Sequence, residues 1–220
     1  MVESPVVQKR LTRRGQITRD RILAAATELI ALHGVAGTNT EQVRAAAGVS
    51  GSQLYHYFDS KQALIRAVIT RQADLPAGDQ GAPQLGALDS FEALRAWADA
   101  AIERQSQNDG RGDCTLSSLA GELGGGDEES RAELSTGFLR WKSLLEQSLG
   151  RMRDRGELRQ DCDLDALALT LLAALQGGTL LSQTLRDTSA MQAAMDAAIA
   201  HVRSFSVASV PSGGDSSALS

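Results

Sequence analysis

The chain has 220 residues, of which 42% are hydrophobic, so it is long enough to bury a substantial core. Only four prolines occur, and the abundance of Ala, Leu, Glu and Arg favours helices over strands. The formal net charge of −5 argues against nucleic acid as a partner, but an average over the chain can hide two regions of opposite sign.

The charge is in fact divided between two such regions. Residues 1–75 contain ten Lys or Arg and six Asp or Glu, a balance of +4. Residues 76–220 contain twelve and twenty-one, a balance of −9. Only the N-terminal region therefore suits a surface that binds phosphates.

The cysteines and the apolar segments indicate in which cellular compartment the protein is expected. Cys114 and Cys162 lie far apart and form no CxxC pair, which gives little support to a disulfide framework or a zinc site. The basic N-terminal residues include no apolar segment of the kind found in signal peptides. The most apolar run, Ala166 to Leu181, is short for a membrane span and contains polar residues, so we interpret it as a buried helix. We expect a cytoplasmic protein without a membrane partner, a metal or another cofactor.

The first predicted elements are a basic arm and a long helix. Residues 2–17 are polar and basic without periodicity, which is typical of a flexible arm or of a plain disordered tail. From Thr18 to His33, apolar residues recur at steps of three or four, and Gly34 ends the run. The sequence therefore predicts a first helix over residues 18–33.

Two capping boxes in close succession predict the next two helices. In the first box, from Thr38 to Glu41, we expect Thr38 to accept from the Glu41 amide. The short helix that follows ends at Gly48, which can adopt the left-handed conformation of a sharp turn. The second box, Ser50 to Gln53, starts another helix only two residues later. Two short helices around a glycine turn are typical of a helix-turn-helix.

The remaining chain predicts six further helices and a tail. A fourth helix carries an apolar stripe that includes Leu64 and Val68, and a Gly/Ala/Pro-rich linker follows at residues 76–83. The later helices are expected near residues 88–107, 113–123, 127–154, 163–186 and 189–206. We predict a flexible basic arm (1–17), a helix-turn-helix domain (18–75), a larger helical domain (76–205) and a disordered tail (206–220).

The stretch from Gly48 to Leu64, GVSGSQLYHYFDSKQAL, resembles the turn, recognition helix and fourth helix of the Tet repressor family. The resemblance extends from about Thr18 to Arg71. It implies an all-α fold with an N-terminal three-helix helix-turn-helix DNA-binding domain (18–75) and a larger helical ligand-binding and dimerisation domain (76–205). It also implies a homodimeric transcriptional repressor that binds double-stranded operator DNA and is released by a small-molecule effector.

The predicted recognition helix has an anchoring side and a free side. Leu54 and Phe58 lie one turn apart and can hold the helix to its neighbours, which leaves its first turn free to meet base edges in a major groove. Gln53 is the strongest candidate base reader, unless its side chain is occupied by its own capping box. The candidate DNA-binding residues are Thr38, Thr40, Arg44, Ser50, Gly51, Ser52, Gln53, Tyr55, His56, Tyr57 and Lys61.

Several of these candidates have distinct expected roles. Tyr55, His56, Tyr57 and Lys61 can donate to phosphates that flank the groove. Gly51 is small enough for close approach to DNA. Thr38 and Thr40 are included because the resemblance implies contacts from helix 2 to the DNA backbone. For Thr38 the alternative is a role as a helix cap alone.

Arg44 departs from the family pattern, which often has a small residue there. Its stem can cover apolar surface while its head reaches a phosphate, or the two helices of the motif can be spaced more widely.

The larger domain offers weaker signals. Two apolar stripes, Leu164 to Leu185 and Met191 to Phe205, are our predicted dimer interface, because in the family two such helices form a four-helix bundle with their symmetry mates. Candidate ligand contacts, each more often a plain core residue, are Trp97, Cys114, Leu116, Leu119, Phe138, Trp141, Leu145 and Gln176.

Other classes of function are less well supported. The three histidines His33, His56 and His201 show no spacing typical of a metal or nucleophile site, so we do not expect an enzyme. A family member that has lost DNA binding and acts as a ligand or protein interaction module is an alternative. An activator is another, since the sign of regulation depends on where the operator lies.

Overall fold

The computed structural model describes residues 11–74, 85–107, 115–125 and 127–207. Within these ranges the predicted all-α class is confirmed, with a short 3₁₀ turn at Leu85–Ala87 as the other helical element. The α-helices are α1 Arg13–Gly37, α2 Thr40–Ala47, α3 Gly51–Tyr57, α4 Lys61–Asp74, α5 Phe91–Gln107, α6 Thr115–Leu123, α7 Glu128–Asp154, α8 Leu164–Leu185 and α9 Ser189–Arg203.

Helix α1 begins earlier than the sequence predicts. Its N-cap is Thr12, whose hydroxyl accepts from the Gly15 N–H at 3.2 Å. Residues 13–17, which we expected in the flexible arm, therefore belong to the helix, while residues 1–10 lie outside the described part of the chain. The helix also continues past its predicted end, although its backbone is broken at Gly34.

Helices α1 to α4 surround a small core at the N-terminal end of the molecule. Ile22 and Ala26 of α1 are fully buried there, together with Val43 of α2 and Leu64 of α4. Gly48 separates α2 from α3 in the left-handed conformation, with φ 60° and ψ 42°. The predicted helix-turn-helix is thus confirmed as a local structure.

Helix α4 packs alongside α7 and thereby connects the N-terminal helices to the larger domain. A Cβ atom built at Gly137 of α7 would lie 2.9 Å from the Cβ of Ala73, so only glycine allows the two helices to come this close. The Trp141 indole N–H donates to the Ala73 carbonyl at 3.0 Å. Arg66 forms an ion pair with Glu129 at 2.7 Å at the other end of the contact. These contacts fix α4 to α7 along much of its length.

Helix α8 lies between α7 and α9 in the larger domain. Its length and composition alone would allow it to cross a membrane, but its inner face is buried among the other helices, so we interpret it as a core helix. At Gly178 an added Cβ would lie 2.7 Å from the Cα of Met191. Because the nearest atom belongs to the backbone, α9 can approach α8 this closely only at a glycine.

The end of the described chain is attached to the loop between α7 and α8. Leu158 and Ser206 form an isolated antiparallel bridge, and the Val207 N–H donates to the Glu157 carbonyl at 3.0 Å. The predicted disordered tail therefore begins too early, since residues 206 and 207 are paired. Residues 208–220 and the predicted linker at 76–83 lie outside the described ranges, and the domain boundaries remain predictions.

The contact between Gly178 and Met191 generates a stability prediction. We expect Gly178→Ala to destabilise the protein by about 1–3 kcal/mol, because the new methyl group must push α9 away from α8. Gly150→Ala in α7 is the matched control, since its Cβ would meet only the Leu164 Cδ1 at 3.7 Å. Thermal unfolding followed by circular dichroism should show a lower melting temperature for Gly178→Ala alone; equal melting temperatures for the two variants would contradict the close contact.

Candidate nucleic-acid interface

Helix α3 buries one side and exposes the other. Leu54 and Phe58 are 2% and 5% exposed, as expected of the residues that anchor the helix. The Arg19 guanidinium of α1 stacks over the Phe58 ring at 5.4 Å from its centroid. The outward side carries small and polar residues, and its exposed members are Ser52, Gln53, Tyr55 and His56. Because these four side chains are exposed to solvent, a partner molecule can reach this face.

The first turn of α3 is fixed by the predicted capping box. The Gln53 N–H donates to the Ser50 hydroxyl at 3.2 Å, and Oε1 of Gln53 accepts from the Ser50 N–H at 2.9 Å. The capping role that the sequence offered as the alternative for Gln53 is thus present in the structure. Its carbonyl oxygen belongs to the cap, while its NH₂ group remains available as a donor.

Gly51 leaves an open space at the start of this face. A Cβ built on Gly51 would have no heavy atom within 4 Å. Neither packing nor a positive φ therefore requires glycine here, since Gly51 is outside the set of residues with φ above zero. The close approach of DNA that the sequence analysis suggested for Gly51 therefore stays a prediction.

The first capping box lies one residue later than predicted. The N-cap of α2 is Asn39, which accepts from the Gln42 N–H, and the Gln42 side chain accepts from the Asn39 N–H, both at 2.9 Å. Thr38 is 4% exposed and its hydroxyl donates to the Gly34 carbonyl at 2.8 Å. Thr38 therefore lies away from the surface as an internal link, whereas Thr40 is half-buried in the first turn of α2.

Two of the predicted cationic contacts are already engaged. Arg44 forms a two-pronged ion pair with Glu41, which lowers the pKa of the Glu41 carboxyl through this hydrogen bond and raises the pKa of Arg44. The Lys61 ammonium donates to the Val35 carbonyl at 2.8 Å. Neither head group points freely at solvent, so a phosphate would have to share it with its present partner.

The start of α1 carries cations that are not among the DNA-binding residues predicted from the sequence. A Cβ at Gly15 would lie 3.5 Å from the Tyr57 hydroxyl, which brings the N-terminus of α1 to the end of α3. Arg13 and Arg14 are exposed in this first turn, which contains no acidic residue. Cations at a helix N-terminus are disfavoured by the helix dipole unless an anion lies nearby. In the sequence, the adjacent Arg13 and Arg14 in the predicted basic arm were the signal for this cationic surface.

The predicted ligand contacts are mostly core residues of the larger domain. Cys114 lies outside the described ranges. Phe138 and Gln176 are half-buried. The other five are at most 4% exposed, namely Trp97, Leu116, Leu119, Trp141 and Leu145.

Two of the candidates connect helices to one another. Trp141 uses its N–H on the Ala73 carbonyl, which makes it part of the junction between α4 and α7. Gln176 of α8 accepts a hydrogen bond from the Ser117 hydroxyl of α6. Helix α6 is thus tied to α8 next to the buried Leu116, so a ligand that entered this core would act directly on α6.

The apolar stripes that we predicted as a dimer interface are largely buried within the chain. Leu167, Leu171 and Met195 are at most 1% exposed, because α8 and α9 pack against each other. The outer face of α8 is exposed, with Leu169 53%, Leu180 60%, Leu181 49% and Leu185 61% exposed, and of these four Leu181 and Leu185 belong to the predicted stripe. Ala193 and Ala197 of α9 are also exposed. The surface available to a second copy is therefore this outer face.

Comparisons with known proteins agree over most of the chain. Residues 22–68 match the model described as bacterial regulatory proteins, tetR family, and residues 90–198 match the tetracyclin repressor-like C-terminal domain. The HTH-type transcriptional repressor DhaR of Mycobacterium sp. (strain GP1) is 26% identical over 74% of this chain and 80% of its own length. The HTH-type transcriptional repressor ComR of Escherichia coli (strain K12) is 27% identical over 87% of this chain and 90% of its own.

Solved structures show the same fold. The crystal structure of regulatory protein TetR from Rhodobacter sphaeroides superposes with a TM-score of 0.69 at 23% identity, and covers 84% of this chain and 98% of its own.

The open space at Gly51 generates a prediction with two opposite signs. We expect Gly51→Ala to stabilise the fold by about 0.5 kcal/mol, since alanine loses less backbone freedom in a helix. The same variant should bind its DNA site more weakly, because the new methyl group stands where DNA would approach. Gly121→Ala in α6, which also meets no atom within 4 Å, is the control and should leave DNA binding unchanged. Gel-shift and thermal-melting measurements decide this; unchanged DNA affinity for Gly51→Ala would remove the argument for close approach.

Proposed function

The chain belongs to the TetR family of bacterial regulatory proteins, and we propose on this premise that it is a dimeric repressor released from its operator by a small molecule. It is a helix-turn-helix transcriptional regulator. The observation that carries the proposal is the two-sided α3, which is anchored by Leu54 and Phe58 and exposes Gln53 and Tyr55 to solvent. The protein would act on DNA in the cytoplasm, and the proposal assigns it no chemical reaction.

Gln53 is proposed as the base reader of α3. Its Oε1 is held by the Ser50 N–H, so its NH₂ group would donate alone to an acceptor on a base edge. Reading an adenine with both atoms would require the capping bond to break. A guanine or thymine acceptor in the major groove therefore suits Gln53 as it stands.

The flanking contacts are proposed to position the protein on the phosphate backbone. Tyr55 and His56 are exposed beside Gln53, and Arg13 and Arg14 extend the cationic surface from α1. Lys61 can add to them, since an ammonium has three donors and the Val35 carbonyl occupies one. Such contacts hold all DNA sequences alike and make binding depend on salt.

The dimer is proposed to form through the outer face of α8 with α9. Exposed leucines such as Leu180 and Leu181 form a contiguous helical stripe with the small exposed residues Ala173 and Gly177. Leucine and small residues in alternation allow two helices to pack closely. A twofold axis at this face would present two copies of α3 to two half-sites of an operator.

The effector is proposed to be a mainly apolar small molecule that enters the larger domain near α6. Leu116, Leu119 and Leu145 supply apolar surface there, and the pair Ser117–Gln176 supplies the polar contact. The ligand must bind the released form more tightly than the DNA-bound form to act as an inducer.

Selection of duplexes from a random pool by the wild-type chain tests the function, and Gln53 variants test how it reads the site. Gln53→Glu keeps an acceptor for the capping box but loses the NH₂ donor. Gln42→Glu is the charge-matched control, since Gln42 has the same capping role in α2. We expect both to weaken all DNA binding, but Gln53→Glu to lose about 1–3 kcal/mol more on the selected site than on scrambled DNA.

Two outcomes of this binding experiment would contradict the proposal. Equal losses by Gln53→Glu on the selected and scrambled duplexes would end the assignment of Gln53 as a base reader. If the wild-type chain enriched no sequence and showed no salt-dependent DNA binding, the alternative of an interaction module without DNA binding would replace the proposed function.

The dimer face generates a separate prediction. We expect Leu180→Asp to convert the protein to a folded monomer, because a carboxylate cannot be buried without a partner. Leu139→Asp in α7 is the control, since Leu139 is 59% exposed, nearly the same as Leu180 at 60%, but lies away from the stripe. Light scattering should give the mass of two chains for wild type and Leu139→Asp and of one for Leu180→Asp. A dimeric Leu180→Asp would place the interface elsewhere.

A further inference from the structure

Helix α1 is broken near its end, and the break leaves one backbone N–H group outside the hydrogen-bond pattern of the helix. Gly34 has φ 71° and ψ 173°, a conformation that residues other than glycine adopt only at high cost. This ψ turns the Val35 N–H out of the helical ladder, and the N–H donates to Oε2 of Glu122 at 2.7 Å. Glu122 lies in the last turn of α6. A helix of the larger domain therefore holds the backbone of α1 at its kink.

The remaining polar groups of the kink lead towards the DNA-binding surface. The Val35 carbonyl accepts from Lys61 of α4 at 2.8 Å, and the Gly34 carbonyl accepts from the Thr38 hydroxyl at 2.8 Å. Thr38 is buried and directly precedes Asn39, the N-cap of α2. A displacement of Val35 would therefore reach the helix-turn-helix within a few residues of chain.

Helix α6 is placed to cause such a displacement. It is tied to α8 by the hydrogen bond between Ser117 and Gln176, and to α1 by the bond between Glu122 and Val35. Three consecutive glycines, residues 124–126, follow it in the sequence. Helix α4, by contrast, is fixed to α7 by Ala73, whose Cβ and carbonyl both touch α7.

We propose that Glu122 is the positioning residue through which α6 sets the orientation of the helix-turn-helix, with the backbone of Val35 as the point of contact. The inference rests on the proposed function, since it concerns how the DNA-binding surface is regulated. Ligand-driven movement of α6 would pull or release Val35 and thereby change the distance between the two recognition helices of a dimer. In the absence of ligand, the same bond sets the half-site spacing that the dimer accepts.

The spacing gives a test that needs no known effector. The selected operator is compared with one lengthened by a base pair between its half-sites, and the two dissociation constants are measured for each protein. Glu122→Ala should lower the wild-type preference for the selected spacing by about fivefold or more. Glu122→Gln keeps a neutral acceptor and should fall between the two. Glu103→Ala, which removes a carboxylate that accepts from Gln107 within α5, is the control and should behave as wild type.

Hydrogen exchange at the Val35 amide reports on the bond itself. We expect exchange roughly tenfold faster in Glu122→Ala than in wild type, with circular dichroism unchanged. Faster exchange with an unaltered spacing preference would overturn the inference alone, as would unaltered exchange. A wild-type chain that selects no operator would overturn the proposed function and the inference with it.

Discussion

Helix α4 must satisfy two cores at once, and the rest of the molecule is arranged around this requirement. Its Leu64 and Val68 complete the small core with α1, while its Ala73 touches α7 through a gap that only Gly137 leaves open. One helix thus contributes residues to the packing of both domains. The helices of the DNA-binding domain are therefore held to the larger domain by α4 and by α6, which packs against both α1 and α4.

The fold could be predicted closely because its signals are local. The box from Ser50 to Gln53 and the turn at Gly48 act within a few residues, and the structure has both where the sequence puts them. The start of α1 was missed because polar and basic residues form a helix here without an apolar stripe. The first capping box was misplaced by one residue because Thr38 and Asn39 are both good caps, and the burial of Thr38 decides between them.

The site and the interface were harder to predict from the sequence, because they depend on contacts between residues far apart in the chain. Lys61 donates to the carbonyl of Val35, twenty-six residues earlier, and no motif around Lys61 indicates this contact. Helix α8 is apolar on nearly every side, so its periodicity could not separate the face packed on α9 from the face with Leu180. The spacing of the leucines therefore indicated a buried helix correctly but not which of its leucines a second chain could reach.

The open space at Gly51 has a consequence for how this regulator can change over generations. Single-base changes in a glycine codon can yield alanine, valine, serine, arginine or an acidic residue, and the Cβ atom that each of these adds would meet no heavy atom within 4 Å at this position. Such a substitution leaves the core and the outer face of α8 unchanged and alters a side chain on the side of α3 that we propose to face the operator. Operator preference can thus drift one substitution at a time at Gly51, without the loss of stability that usually limits the evolution of a new specificity.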